Sequence, residues 1–199
     1  MADEDSSALD KILARDLTFG TVCTLAVLAG IGIAHALGMP WVLLAALGLA
    51  LLYVALHDIR FMLLPDAVTL PLIALGFVNV IWSGPPFLDR AIGAGLGILV
   101  LPAINWVYKR LRGRDGIGLG DAKLLAAAGA WLGWTGLAPV LLVASLAGLL
   151  TVGAVALYRR RMPRGEAIPF GPFLALGFFL MFAAGLLRSL FAPPPPPLF

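Results

Sequence analysis

Apolar residues run along this chain in long blocks, broken by short joints that carry glycine, proline or charge. The blocks predict helices near residues 17–37, 41–57, 67–83, 90–108, 121–134, 137–158 and 170–191. At about 1.5 Å of rise per residue, roughly 20 apolar residues cross a hydrocarbon core of about 30 Å. The blocks are therefore read as membrane spans. Residues 121–158 are almost continuously apolar, and as one helix they would run about 57 Å, too long for a single crossing. Gly133-Trp134-Thr135-Gly136, followed by Pro139, supplies turn chemistry in the middle, so the pattern predicts a hairpin with a short fifth helix. Small residues recur at helical spacing in the pairs Gly93 and Gly97, Ala126 and Ala130, and Ala144 and Gly148. Such pairs let membrane helices approach closely, and packing accounts for them fully. The expected fold is all-α, a polytopic membrane protein with about seven transmembrane helices.

Composition agrees with the pattern. The chain has 199 residues, of which 61% are hydrophobic and 13% charged, and its mean hydropathy is +0.98. Ordinary globular domains carry about 25% charged residues. A soluble enzyme, a disordered chain and a basic nucleic-acid binder are all excluded. The net charge of +3 reflects position instead of a nucleic-acid partner. With the N-terminus in the cytoplasm, Lys11, Arg15, Arg60, Lys109, Arg110, Arg112, Arg114, Lys123, Arg159, Arg160, Arg161 and Arg164 all fall inside, leaving only Arg90 and Arg188 outside. That asymmetry is the positive-inside pattern. The single cysteine, Cys23, lies in an apolar run, so neither a disulfide framework nor a cysteine-rich zinc site is expected. Residues 1–5 are acidic and lack the basic start of a secretory signal. The expected organisation is a cytoplasmic segment 1–16, one transmembrane domain 17–191, and a disordered proline-rich tail 192–199 containing Pro193–Pro197.

Ionisable groups near membrane helices are costly and mark functional candidates. Two clusters stand out: His57-Asp58-Ile59-Arg60, leading to Pro65-Asp66 at the end of the second helix, and Gly116-Ile117-Gly118-Leu119-Gly120-Asp121-Ala122-Lys123 at the start of the fifth. The topology brings Asp58 and Asp121 to the same membrane face. Asp66 has a plain alternative as the cap of the third helix, and Asp121 as the cap of the fifth. Asp58 has none, because a helix C-terminus disfavours an anion. His57 reads as interfacial. Arg60 and Lys123 either pair with these carboxylates or face headgroups. Two converging carboxylates share a proton; the ionised one then activates water while the protonated one donates to a carbonyl. Such chemistry needs no metal and no cofactor. The glycines before Asp121 leave room for a substrate backbone.

These residues carry a family resemblance. Asp58-Ile-Arg-Phe-Met-Leu-Leu-Pro65-Asp66, followed by Thr69-Leu-Pro71, resembles the first active-site motif of the type IV prepilin peptidases. Gly118-Leu-Gly120-Asp121-Ala-Lys123 resembles their GxGD motif, and Ile168-Pro-Phe-Gly-Pro-Phe-Leu-Ala175 resembles the segment opening a late helix. The resemblance spans roughly residues 41–185. It implies an intramembrane aspartic endopeptidase with Asp58 and Asp121 as the catalytic pair, supported by Gly118, Gly120, Lys123 and Pro65, with Asp66 outside the pair. It also implies a location in the cytoplasmic (inner) membrane. The implied substrates are prepilins or type II secretion pseudopilins, cut after a short basic leader just before a hydrophobic helix; the other implied partner is membrane lipid. Larger members resemble this chain but add a zinc-binding domain with paired CxxC motifs, associated with N-methylation. Here only Gly38-Met39-Pro40 joins the first two helices and no CxxC occurs, so a peptidase without methyltransferase activity is expected. The alternatives are a non-enzymatic assembly factor of a pilus or secretion system, and a small transporter using the aspartates as a proton relay. Against the latter, no internal repeat is visible.

Overall fold

Glycine and proline set the joints of the bundle. The computed structural model describes residues 2–83, 86–113, 118–159 and 168–191. They form α1 (Ala2–Leu37), α2 (Pro40–Phe61), α3 (Asp66–Ser83), α4 (Phe87–Arg112), α5 (Leu119–Leu132), α6 (Leu137–Arg159) and α7 (Gly171–Phe191). No strand occurs among the described residues. Gly38, with φ +63°, ends α1, and Pro40 starts α2 at the first helical position, where its missing N–H costs nothing. Gly133, with φ +77°, closes α5 by donating its N–H to Gly129 O at 2.9 Å. A single 3-10 turn, Trp134–Gly136, then reverses the chain into α6. The hairpin read from the sequence is present.

Helix boundaries differ from the sequence reading in instructive ways. α1 starts at Ala2, because residues 2–16 contain neither glycine nor proline and nothing interrupts the helix. α2 runs on to Phe61, which puts Asp58 in its last turn, at the helix C-terminus as read. The stretches Leu17–Leu37, Pro40–Phe61, Phe87–Leu111, Trp134–Arg159 and Gly171–Arg188 are long and apolar enough to cross a membrane. α3 and α5 are shorter apolar helices; the 14 residues of α5 rise only about 21 Å. The chain is an all-α multi-pass membrane protein. Arg114, Arg160, Arg161, Arg164, the first glycine of the GxGxGD stretch (Gly116) and the proline-rich tail lie outside the described residues.

The short α5 is tolerated because protein, not lipid, surrounds it. It packs on α4, α3, α7 and α6, and every residue from Asp121 to Trp131 except Lys123 is buried. Its Ala-Ala-Ala-Gly-Ala core lets four neighbours come close. In lipid there is no hydrophobic drive between helices, so association depends on close packing and hydrogen bonds. The α4–α5 contact is built that way. A Cβ on Gly93 would lie 2.7 Å from Gly129 O, and one on Gly97 would lie 2.6 Å from Ala126 Cα. Ala144 is buried, and Gly148 faces the Phe173 ring. Trp131 fastens α5 to α3 by donating Nε1–H to Leu72 O at 2.8 Å, and it meets Phe182 of α7 edge-on.

Arg90, which the charge pattern places on the outer side, is part of the bundle itself. It is only 2% exposed in the first turn of α4. Its Nη1 donates to Gly76 O of α3 at 3.1 Å and to Ala130 O of α5 at 3.4 Å. The guanidinium thus ties three helices together at the end of the bundle opposite Asp121. Arg90→Met is expected to cost about 1–3 kcal/mol by leaving those carbonyls unserved. Thermal unfolding in detergent checks this; an unchanged midpoint removes the role.

Candidate active site

The site begins where α2 is made to stop. Met62 takes the left-handed conformation (φ +51°), and its N–H donates to Asp58 O at 2.8 Å. That is a C-terminal cap of the αL type. His57 reinforces the turn: its Nδ1–H donates to Leu63 O at 2.8 Å, and its ring packs between Tyr53 and Phe61. Pro65 then starts α3, its carbonyl accepting the N–H groups of Val68 and Thr69 at 3.1 Å. The tight link folds Leu64 inward, where it is 9% exposed.

Leu64 is what the second glycine of the GxGD motif accommodates. A Cβ on Gly120 would lie 3.0 Å from both Cβ and Cδ1 of Leu64. The sequence reading reserved this space for a substrate; the α2–α3 link occupies it instead. That contact brings the start of α5 against the end of α2. Asp121 sits at the third position of α5, and its carboxylate accepts the backbone N–H of Gly118 at the cap position. This is the reciprocal half of a capping box, so the capping role expected for Asp121 is present in part. Its other oxygen, Oδ1, is buried and has no hydrogen-bond partner among the described residues.

Asp58 finds its partner 113 positions away. The N–H of Gly171, first residue of α7, donates to Asp58 Oδ2 at 3.0 Å. This answers the objection that a helix C-terminus disfavours an anion. The carboxylate ends α2 but also faces the N-terminus of α7, where an anion is favoured. Asp58 and Asp121 are 4% and 7% exposed, and the charge of the first bears directly on the second. Both line a cavity of about 800 Å³, together with Pro65, Gly118, Gly120 and the 168–170 segment.

Asp66 and Lys123 also line this cavity, but they face each other. Lys123 Nζ lies 2.6 Å from Asp66 Oδ1. Asp66 is therefore the first residue of α3 with its carboxylate turned to α5, and the expected capping of backbone N–H groups gives way to an ion pair. Arg60 is exposed and does not line the cavity. Because the Asp66–Lys123 pair is partly solvated, it is worth no more than about 1 kcal/mol. Lys123→Ala is accordingly expected to change kcat/KM by less than about fivefold and to leave the pH–rate profile in place. A displaced profile in that assay would show that Lys123 acts on the aspartates directly.

Sequence reasoning missed Gly171 as an individual residue, although it lies in a stretch already singled out. A glycine followed by proline at the head of a helix was the available signal. It missed Leu64 as the reason for Gly120 altogether, since nothing in a sequence says which side chain a glycine makes room for.

Comparison with known proteins places this geometry. The prepilin leader peptidase/N-methyltransferase of Burkholderia pseudomallei is 51% identical over 137 residues, covering 67% of this chain and 44% of that protein. The protein of the same description from Aeromonas salmonicida is 45% identical over 156 residues, covering 76% of this chain and 53% of its own length. That from Xanthomonas campestris pv. campestris is 40% identical over 154 residues, covering 74% and 52%. The chain thus spans about half the length of the curated relatives it matches. No solved structure matches it significantly. The model of the type IV leader peptidase family matches residues 45–153, a stretch that holds Asp58, Asp121 and more than half of the sequence, and the chain belongs to that family.

Proposed function

We propose that this protein is a membrane aspartic endopeptidase that removes the short basic leader from prepilins or pseudopilins at the cytoplasmic face of the inner membrane. The observation that carries the reading is the pair of buried aspartates, Asp58 from α2 and Asp121 from α5, meeting in one cavity. Two carboxyl groups so held share one proton, which equips them to activate water and protonate a carbonyl at once. Family membership and the names of the relatives support the same substrate class. The cavity rim supports it too: Leu17, Leu63 and Leu119 are 61%, 68% and 73% exposed there. Such a rim suits a substrate whose scissile bond adjoins an apolar helix. Lys109 and Arg110 lie at the same end of the bundle as Asp121, which fits a cytoplasmic site by the positive-inside pattern.

The reaction proposed is hydrolysis alone. The resemblance ties methylation to a CxxC zinc domain, whereas α1 and α2 are joined through Gly38 and Met39 and the chain holds the single Cys23. The test is cleavage of a prepilin by the purified protein in detergent, with mass analysis of the product. Leader removal yielding an unmethylated terminus supports the reading. No cleavage across a panel of leaders that a related peptidase does cut would favour the assembly-factor alternative. A methylated terminus with this protein as sole enzyme would overturn the hydrolysis-only reading.

A further inference from the structure

The two carboxyl groups are held unequally. Each receives one backbone N–H from a helix start, Asp58 from Gly171 and Asp121 from Gly118. What separates them is the approach of the amide and the state of the second oxygen. At α7 the donor is forced onto Asp58. Gly171 N–H is one of the orphan donors of a helix start, and the next residue, Pro172, has no N–H to offer. A Cβ at position 171 would sit 2.6 Å from Asp58 Oδ2 and 3.0 Å from its Cγ, so only glycine admits this contact. Asp121 Oδ1, by contrast, is buried without a donor among the described residues. An ionised oxygen in that position is costly. A protonated one carries its own O–H and becomes a donor.

Resting on the aspartic-peptidase reading, we propose that this inequality assigns the roles: Gly171 is a positioning residue whose N–H holds Asp58 as the ionised, water-activating member, and Asp121 carries the proton given to the scissile carbonyl. In the step so assigned, Asp58 takes a proton from water as the water oxygen bonds to the carbonyl carbon. Asp121 passes its proton to the carbonyl oxygen. When the tetrahedral diol collapses, Asp58 delivers its proton to the leaving nitrogen, the C–N bond breaks, and a diol hydroxyl returns a proton to Asp121. The other titratable groups lining the cavity among the described residues are His57, Asp66 and Lys123. Lys123 is held by Asp66 and the Nδ1–H of His57 by Leu63 O; His57 adds its charge beside Asp58, whereas Gly171 supplies the backbone hydrogen bond.

Two measurements on the full chain in detergent or vesicles test this. The first needs no substrate. Infrared spectra at mildly acidic pH are expected to show a protonated-carboxyl band in the native protein that persists in Asp58→Asn and disappears in Asp121→Asn. A band that survives in Asp121→Asn and vanishes in Asp58→Asn overturns the assignment, whether or not the protein cleaves prepilin. The second concerns Gly171. Gly171→Ala is expected to lower kcat for prepilin cleavage about tenfold to a hundredfold with KM nearly unchanged, the loss of one hydrogen bond to a charged group. The acid limb of its pH–kcat profile is expected to move up by about one unit, because the ionised form of Asp58 loses its donor. A reduced rate with the limb unmoved would mean that Gly171 serves folding only, and would remove its positioning role. Absence of cleavage by the native protein would count against the peptidase reading, while the infrared result would still decide where the proton resides.

Discussion

Asp58→Asn and Asp121→Asn are each expected to lower leader cleavage by roughly 10²–10⁴-fold, the range over which positioned acids and bases contribute. Asn keeps the size of Asp and can still meet the amides of Gly171 and Gly118, so the folded protein should persist at native levels. The double variant is expected to be little worse than either single one, because groups that act as a unit lose their function together. Cleavage assays at matched protein concentration, with thermal unfolding as the control for folding, check both points. Additive losses would mean that the two carboxyls work separately. Undiminished cleavage in either single variant would end the assignment of that residue.

The second large effect concerns stability. Gly97 and Gly95 lie two positions apart on α4, yet they face different surroundings. A Cβ on Gly97 would meet the backbone of Ala126, with Cα and N both at 2.6 Å, whereas one on Gly95 would meet nothing within 4 Å. Backbone cannot step aside as a side chain can, so the helices must separate. Gly97→Leu is therefore expected to cost about 3 kcal/mol or more, at or beyond the upper end of ordinary overpacking. Gly95→Ala should be neutral or stabilising by up to about 1 kcal/mol through helix propensity. Unfolding midpoints in one detergent compare them directly. Equal behaviour of the two variants would contradict the α4–α5 packing. The consequence reaches the site, because α4 holds α5 in place and α5 carries Asp121.

The membrane character, the helices and their joints were legible in the sequence because they depend on local matters. Apolar block length sets a span, glycine and proline set a turn, and Gly133 ended α5 as its neighbours predicted. The candidate carboxylates were legible as well, because a charge beside a membrane helix has no cheap local explanation. Partners were not legible. Asp66 was expected to cap its own helix and instead reaches Lys123; Arg90 was read only as a charge on the outer side, and it joins three helices from within the bundle. Gly120 was held open for a substrate and instead receives Leu64, and the donor to Asp58 comes from a glycine far along the chain. In each case the deciding contact joins residues distant in sequence, through space that only the packed helices define. The sequence by itself determined a multi-pass helical chain with two aspartates to account for. The tertiary structure alone decided which amide, which cation and which side chain stands beside each of them, because hydrogen bonds and close packing act over a few ångströms and not along the chain.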